Sequence, residues 1–458
     1  MTAGFSLAYE RWIPVLRMDA TTDVLGLEQL FRESADIAAV STGDVLEDAV
    51  VNKLLLACAL AAGEGSPATV DSIAQWCANN AAKFDVLDED APFGQNARMR
   101  AVPDAMWTRP RTQFYDWTST DGLFNSFSAM TSPEPTAEPL DKTVRQILVR
   151  HAYSAGTLTK SINKYIGGAS RTMKKSPYYN LPFVWFESVS LADSVIDNAT
   201  RLNWSNSGTF HFTWPKNVDA MSDIEKPGLL DALTAPFKSV LLRVNADHDV
   251  TEMTVFDGLR LPSMDDVSVL PHTTWLRDEK AYAPKSVRTK INNNDSTRLS
   301  WLHMLMCYAS GPAGTSLVYN EKPSTAHSVV MTCLSGDGMK ARIDDNVCWR
   351  LPAPAIGVDD ARSLYEMYLE FRRFTYGVFA TAAGDAETNS VYDKYADQRD
   401  RKFGELVAAV LGGEISLKRA KSLVPELYNA VKRDVSEDSD VQTRVKIINK
   451  EAPQWTTL

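Results

Sequence analysis

Eight cations crowd one stretch of an otherwise acidic chain. Lys142, Arg145, Arg150, Lys160, Lys164, Arg171, Lys174 and Lys175 fall within residues 142–175, with no Asp or Glu between them. The 458-residue chain as a whole carries a formal net charge of -10, so its body repels nucleic acid. A charge run usually marks solvated helix faces. Here the absence of acids favours a patch that holds a phosphate backbone. Tyr153, Tyr165, Tyr178 and Tyr179 interleave with the charges, and aromatics beside basic residues can stack on unpaired bases. Gly156, Gly167 and Gly168 lie in the same stretch. Lacking a Cβ, they would let backbone approach a ligand closely, even in a minor groove only about 6 Å wide. From composition alone, ordinary caps and turns are the preferred account of these glycines.

Other candidate chemistry is sparse. Gly336-Asp337-Gly338-Met339-Lys340-Ala341 follows the apolar run 329–334 and imitates a dinucleotide-binding fingerprint. That fingerprint must open a helix. Asp344, Asp345, Pro352 and Pro354 follow instead, so the segment predicts strand, tight loop, strand, with Met339, Lys340 and Arg342 at the tip. Asp247-His248-Asp249 has ligand-type residues but falls at a predicted hairpin turn. His272 and His303 lack a partner at ligand spacing, and Asp88-Glu89-Asp90 reads as a solvated acidic cluster. No nucleophile elbow, metalloprotease helix or phosphate-binding loop occurs. The expected number of catalytic sites is zero.

Bulk properties narrow the class further. Five cysteines, Cys58, Cys77, Cys307, Cys333 and Cys348, include no C-x-x-C pair. They predict neither a disulfide framework nor a structural metal, and they fit a reducing cytoplasm. Glu10, Arg11 and Arg17 interrupt any signal-peptide core. The longest apolar run, 54–62, is far short of the roughly 20 residues that span a bilayer. No cofactor and no membrane contact are expected.

The elements that must position these residues predict an α+β chain. A large mixed α/β N-terminal domain (1–357) precedes a C-terminal antiparallel helical bundle (358–458). Residues 5–15 read as a first strand. Asp44–Ala62 reads as a buried helix closed by Gly63. Ser66-Pro67 reads as the start of a helix whose apolar face holds Val70, Ile73, Cys77, Ala81 and Phe84. Residues 122–139 read as a long loop, followed by a helix over Leu140–Ser154. Phe183–Phe186, Gly208–Trp214, Pro236–Val244 and Thr251–Phe256 read as strands, the last two as a hairpin. Ser190 with Asp193 caps a short helix, and Asp295–Ala309 reads as another helix. After Val358, apolar stripes at helical spacing continue through Val431 despite Pro425, giving three or four helices.

Two signatures and four further segments carry a resemblance. The signatures are Phe5–Val15, ending in Trp12-Ile13-Pro14-Val15, and Phe84-Asp85 with Ala91-Pro92-Phe93-Gly94-Gln95. The further segments are Gly167-Gly168-Ala169-Ser170-Arg171 with Pro182-Phe183-Val184, Pro271-His272 with Trp275 and the basic run Lys285, Arg288 and Lys290, Gly338 through Pro352, and the C-terminal helices. Together they resemble the large-subunit family of the type I-E CRISPR Cascade surveillance complex.

The resemblance implies a non-catalytic DNA-recognition subunit. Such a protein reads the PAM of double-stranded target DNA from the minor groove and opens the duplex with a wedge. It assembles with a guide-RNA ribonucleoprotein of backbone, small and handle-binding subunits, and it recruits a helicase–nuclease. It also implies roles for single residues. Gly167 and Gly168 fall on the glycine loop, with Lys160, Lys164, Arg171, Lys174 and Lys175 beside it. Met339, Lys340 and Ala341 fall on the wedge tip, where the family often has glutamine at the position of Lys340. Arg260 is the possible equivalent of a lysine finger, and residues 122–139 would face the guide's 5′ handle. Paired cysteines of some members are absent here, so the resemblance brings no zinc site. Rival readings are a stand-alone RNA-binding or interaction protein, and a hydrolase with an unrecognised carboxylate site.

Overall fold

A computed structural model describes residues 4–64, 68–108, 137–154, 157–158, 172–173, 176–179, 183–200, 208–214, 224, 227–260, 276–278, 281–285, 326–337, 342–352, 358–383, 388–451 and 453–456. The chain opens with a three-stranded antiparallel sheet of β1 (Ile13–Arg17), β2 (Thr22–Leu25) and β3 (Ile37–Val40), in the order β2-β1-β3. The expected strand over 5–15 is thus only partly formed. Residues 5–10 turn instead, because their backbone groups are taken up elsewhere. Phe5 N–H donates to Asp85 Oδ1 (2.9 Å), and Leu7 N–H donates to the Phe84 carbonyl (3.1 Å). The Trp12 indole closes the turn on the Leu7 carbonyl (2.9 Å). The two signatures separated in sequence therefore meet in space.

Between β2 and β3 lies α1 (Leu27–Arg32). After β3, α2 (Val45–Gly63) is largely buried and carries apolar residues on every side, with its polar residues Glu47, Asp48, Asn52 and Lys53 confined to the first half. Asp44 caps it, accepting from the N–H groups of Leu46 and Glu47 at 2.8 and 3.1 Å. Next, α3 (Val70–Asn79) is capped by Thr69, which accepts from Ser72 N–H at 3.2 Å. Thr69 is the residue directly before the first helical turn, and the expected start at Ser66-Pro67 lies outside the described residues. Ile73, Cys77 and Phe84 from the predicted face are fully buried.

The helix α4 (Leu140–Tyr153) packs on α2 through a buried ion pair. Arg145 Nε donates to Glu47 at 2.7 Å, and its Nη1 donates to the Trp12 carbonyl and to Asp141 at 3.1 Å. Burial pushes the Glu47 carboxyl up, and Arg145 pulls it back down. Two short strands, β4 (Thr157–Leu158) and β5 (Thr172–Met173), pair antiparallel.

Then β6 (Phe183–Glu187) leads into α5 (Leu191–Thr200), whose Ser190 cap accepts from Asp193 N–H at 3.1 Å, as expected. The strand expected over 208–214 does not form. His211 N–H donates to the Thr234 hydroxyl at the end of α6 (Leu229–Thr234), and Trp214 N–H donates to the Gln95 carbonyl. Its rings serve packing instead, with Phe210 and Phe212 against Trp76 and Phe84. The hairpin of β7 (Lys238–Val244) and β8 (Val250–Asp257) forms as predicted. Asn245 Oδ1 organises its turn by accepting from Asp247 and Asp249 N–H, and His248 takes a positive φ of 64°. This turn role accounts for the Asp-His-Asp sequence. A short pair, β9 (Leu276–Asp278) and β10 (Ala281–Lys285), follows.

A second three-stranded sheet, in the order β12-β11-β6, joins β6 to β11 (Ser328–Asp337) and β12 (Arg342–Pro352). At β6 and the adjoining part of β11 it is covered on both faces. Val184, Phe186, Val329 and Met331 belong to the core of the C-terminal helices, while Phe183 and Trp185 belong to the N-terminal core. Such a strand reads as an unbroken apolar run, and Phe183-Val184-Trp185-Phe186 does. The helices are α7 (Val358–Ala383), α8 (Thr388–Leu411), α9 (Leu417–Glu437) and α10 (Val441–Ile448). α9 continues through Pro425. The helix expected over 295–309, the Pro271-His272 segment and residues 122–136 lie outside the described residues.

The Arg145–Glu47 pair makes a testable case. Arg145→Leu alone strands a buried carboxylate and should cost about 3–5 kcal/mol in urea unfolding. Adding Glu47→Leu should recover much of that loss, because the stranded charge is gone. A double variant no more stable than the single one would assign the cost to the Trp12 carbonyl instead.

Candidate nucleic-acid interface

The structure separates the cationic run into two groups. Arg145 and Arg150 are buried, and Lys142 pairs with Glu138 at 3.3 Å. Glu47 and Asp141 meet Arg145, and Glu138 meets Lys142, so the acids come from outside the run. The patch available to a phosphate backbone is therefore smaller than eight charges. The tyrosines need correction too. Tyr153, Tyr178 and Tyr179 are 1%, 0% and 2% exposed, so they are core residues and not stacking platforms. Tyr165 lies outside the described residues, as do Lys160, Lys164, Gly167, Gly168, Arg171, Lys174 and Lys175.

What the structure does show is how this segment is held at its ends. Thr157 pairs with Met173, and Leu158 with Thr172. Just beyond, Ser176 N–H donates to the Ser154 carbonyl (2.8 Å), and Tyr178 N–H to the Ala152 carbonyl (3.0 Å). The Ser176 hydroxyl donates to the Arg150 carbonyl (3.0 Å). The chain thus leaves the end of α4 and returns to it, and β5 lies against β8.

A buried titratable cluster underlies this clamp, and sequence reasoning missed it. Lys238 lies 3.8 Å from Asp257, which also accepts from Arg260 at 2.7 Å. Burial pushes the Lys238 ammonium down to about 7, while Asp257 opposes the shift. His151 Nδ1 accepts from Lys238 N–H (3.2 Å), and its Nε2 faces the Gly94 carbonyl at 2.9 Å. Those partners fix the neutral tautomer with the proton on Nε2. Burial pushes His151 down to about 4. Gly94 has a φ of +65°, a conformation that disfavours any side chain. Nearby, Lys53 of α2 points its Nζ at the Tyr178 ring, 5.0 Å from the centroid, and burial alone pushes it down to about 7. The only sequence signal was a lysine inside an apolar helix. Arg260, the possible finger residue, is 23% exposed at its side chain and is engaged by Asp257.

The predicted hairpin tip is framed by the longest ladder described. β11 and β12 pair from Ser328↔Pro352 to Asp337↔Arg342, so residues 338–341 connect them. Met339, Lys340 and Ala341 themselves lie outside the described residues. Among the described residues, β6 pairs only with Ser328–Thr332, the base of the hairpin. The base is thus built into both cores, and the distal half pairs, among the described residues, with itself alone. At about 3.4 Å per residue, that half extends roughly 17 Å from the anchored part.

Among the described residues, no group of three or more His, Cys, Asp or Glu side chains is placed to hold a metal ion. No described helix is long and apolar enough to cross a membrane.

The family described as CRISPR-associated protein Cse1 matches residues 6–339 of the chain. The crystal structure of Cse1 from Acidimicrobium ferrooxidans is similar with a TM-score of 0.68 at 15% identity, over 97% of this chain and 96% of that one. Thermobifida fusca Cse1 is similar with a TM-score of 0.66 at 15% identity, over 97% of each chain. A chain of a CRISPR RNA-guided surveillance complex gives a TM-score of 0.71 at 13% identity, over 97% of this chain and 98% of that one. No curated protein matches the chain in sequence. At these identities the solved structures establish the fold.

The buried lysines set a pH dependence. An unfolded lysine keeps its proton up to 10.5, whereas Lys53 and Lys238 release theirs near 7 in the fold. The unfolded state then binds more protons across that interval, so stability rises with pH, by about 1.4 kcal/mol per unit for each lysine. Cys58 and Tyr178, which burial pushes up, oppose the trend only at higher pH. Urea unfolding from pH 7 to 8.5 should show the rise. Lys53→Met should roughly halve the slope and stabilise the protein at pH 7. An unchanged slope would mean that Lys53 stays charged inside.

Proposed function

Because the chain belongs to the CRISPR-associated Cse1 family, we propose that it is the large subunit of an RNA-guided type I-E surveillance complex, reading the PAM and opening target DNA without catalysis. The observation that carries this reading is the family match, which runs from the N-terminal signatures through the clamped glycine-loop segment to the hairpin tip. Gly167 and Gly168 enter the minor groove, while Lys160, Lys164, Arg171, Lys174 and Lys175 contact phosphates beside it. Met339, Lys340 and Ala341 wedge the duplex next to the PAM. DNA stacking is worth about 1.4 kcal/mol per step, so a few phosphate contacts suffice to displace one or two pairs. Arg260 acts as the finger residue by exchanging Asp257 for a phosphate oxygen.

Residues 358–458 form the second domain in this reading and contact partner subunits. The complex works in the cytoplasm and recruits a helicase–nuclease once the guide has paired. The rivals divide cleanly by co-purification. This reading requires the chain to co-purify with a guide-RNA ribonucleoprotein, whereas a hydrolase would turn over substrate as the isolated chain.

Two measurements bear on the residues. Alanine at Lys160, Lys164, Arg171, Lys174 and Lys175 should flatten the dependence of log K on log salt, by up to about 0.9 for every phosphate that is no longer neutralised. Alanine at Lys142 should leave that slope unchanged. For the tip, Lys340→Ala and Met339→Ala should slow R-loop formation on intact duplex far more than on a target already unpaired beside the PAM. Equal defects on both substrates would recast Lys340 as a phosphate anchor, and no defect on either would make the tip structural.

A further inference from the structure

A cavity of about 130 Å³ lies between β3, α2 and the β12-β11-β6 sheet. One wall is a single face of α2, where Val45, Asp48, Ala49 and Asn52 recur at helical spacing. The opposite wall carries Phe183 and Trp185 from β6, and the exposed Arg350 of β12 also lines it.

The polar groups of this cavity do not balance. Glu187 is matched, since its Oε1 accepts from Arg350 at 2.9 Å and its Oε2 from the Ser328 hydroxyl at 2.6 Å. Asp48 is matched only in part: burial pushes its carboxyl up, and Thr42 and the charge of Arg350 oppose the shift. Both the N–H and the hydroxyl of Thr42 donate to its Oδ1, at 2.8 and 2.7 Å. Among the described residues its Oδ2 accepts no bond. One turn on, the buried Oδ1 of Asn52 has no hydrogen-bond partner either. Two acceptor oxygens on one helix face, about 5–6 Å apart at Cβ, therefore share a space in which neither accepts a bond, the lining guanidinium of Arg350 being spent on Glu187. The charged side chains lining it are Asp48, Glu187 and Arg350, one negative charge in excess.

We propose that this cavity binds a guanidinium group. Its planar fork of N–H donors would meet Asp48 Oδ2 and Asn52 Oδ1, and its face would lie against Trp185. An apolar cavity of about 150 Å³ holds a benzene molecule, so a smaller guanidinium fits this space. An ammonium is a compact point charge and satisfies two separated acceptors less well. The guanidinium belongs either to a free small molecule or to an arginine side chain that reaches in from another protein.

Calorimetric titration of the full chain with N-butylguanidine, n-butylamine and N-acetyl-arginine amide tests this. Saturable N-butylguanidine binding, much tighter than n-butylamine binding, is the expected result. Asp48→Asn should weaken it by at least about tenfold, the worth of one charge-assisted hydrogen bond. Asn52→Leu should weaken it several-fold while leaving the melting temperature level or higher, since the acceptor removed was unpartnered. Comparable binding of N-acetyl-arginine amide would support the arginine side chain as the source, and its exclusion would support a free small molecule. No saturable heat with N-butylguanidine, or equal binding by wild type and both variants, would overturn the proposal.

Discussion

The structure turns on one strand that has no free face. Phe183, Val184, Trp185 and Phe186 are all buried, two toward the N-terminal core and two toward the C-terminal helices. Because successive side chains in a strand point to opposite faces, a slip of one residue would exchange the two sets and mismatch both cores. The register of β6 against β11 is therefore fixed from two sides. That register in turn fixes where the hairpin of β11 and β12 emerges. A projection meant to work on another molecule needs such a foundation, since force at its tip is resisted only by what holds its base.

Charge is distributed on the same logic of inside and outside. Arg145 and Arg150 look basic in the sequence yet are buried, Arg145 as an internal fastener, and Lys53 and Lys238 sit where water does not reach. A cation in such a place either finds a carboxylate, as Arg145 does with Glu47, or holds its proton less tightly, as burial makes Lys53 do. Linear charge density cannot distinguish these fates. It records what a segment carries, not which acids from remote segments, such as Glu47 or Glu138, come to meet it.

Legibility in the sequence followed the range of the deciding interaction. Asp44, Ser190 and the Asn245 turn act within four residues, so the helix starts and the β7–β8 hairpin could be anticipated. The long hairpin was legible because prolines after Gly338 forbid the helix that a nucleotide-binding loop needs. Residues 208–214 misled because alternating aromatics imply a strand only when a ladder partner exists. Here the N–H groups go to Thr234 and Gln95 instead. Phe5–Glu10 misled for the same reason, its partners lying at residues 84 and 85. The Lys238–Asp257–Arg260 cluster and the α2 cavity depend on packing between elements, and no local spacing announces them.

The pairing of β6 with β11 also has a meaning in time. Glu187 opposes Ser328, and 141 residues separate them. A ribosome adding about 5–20 residues per second needs roughly 7–28 s to supply the second strand after the first has emerged. Throughout that interval Val184 and Phe186 lack β11 and the C-terminal helices that pack on them in the fold. Their final cover comes later still, with α7, α8 and α9. A nascent chain of this protein therefore carries an apolar strand without its ladder partner β11 for many seconds, and its yield during synthesis should depend on whatever shields that strand until the C-terminal helices arrive.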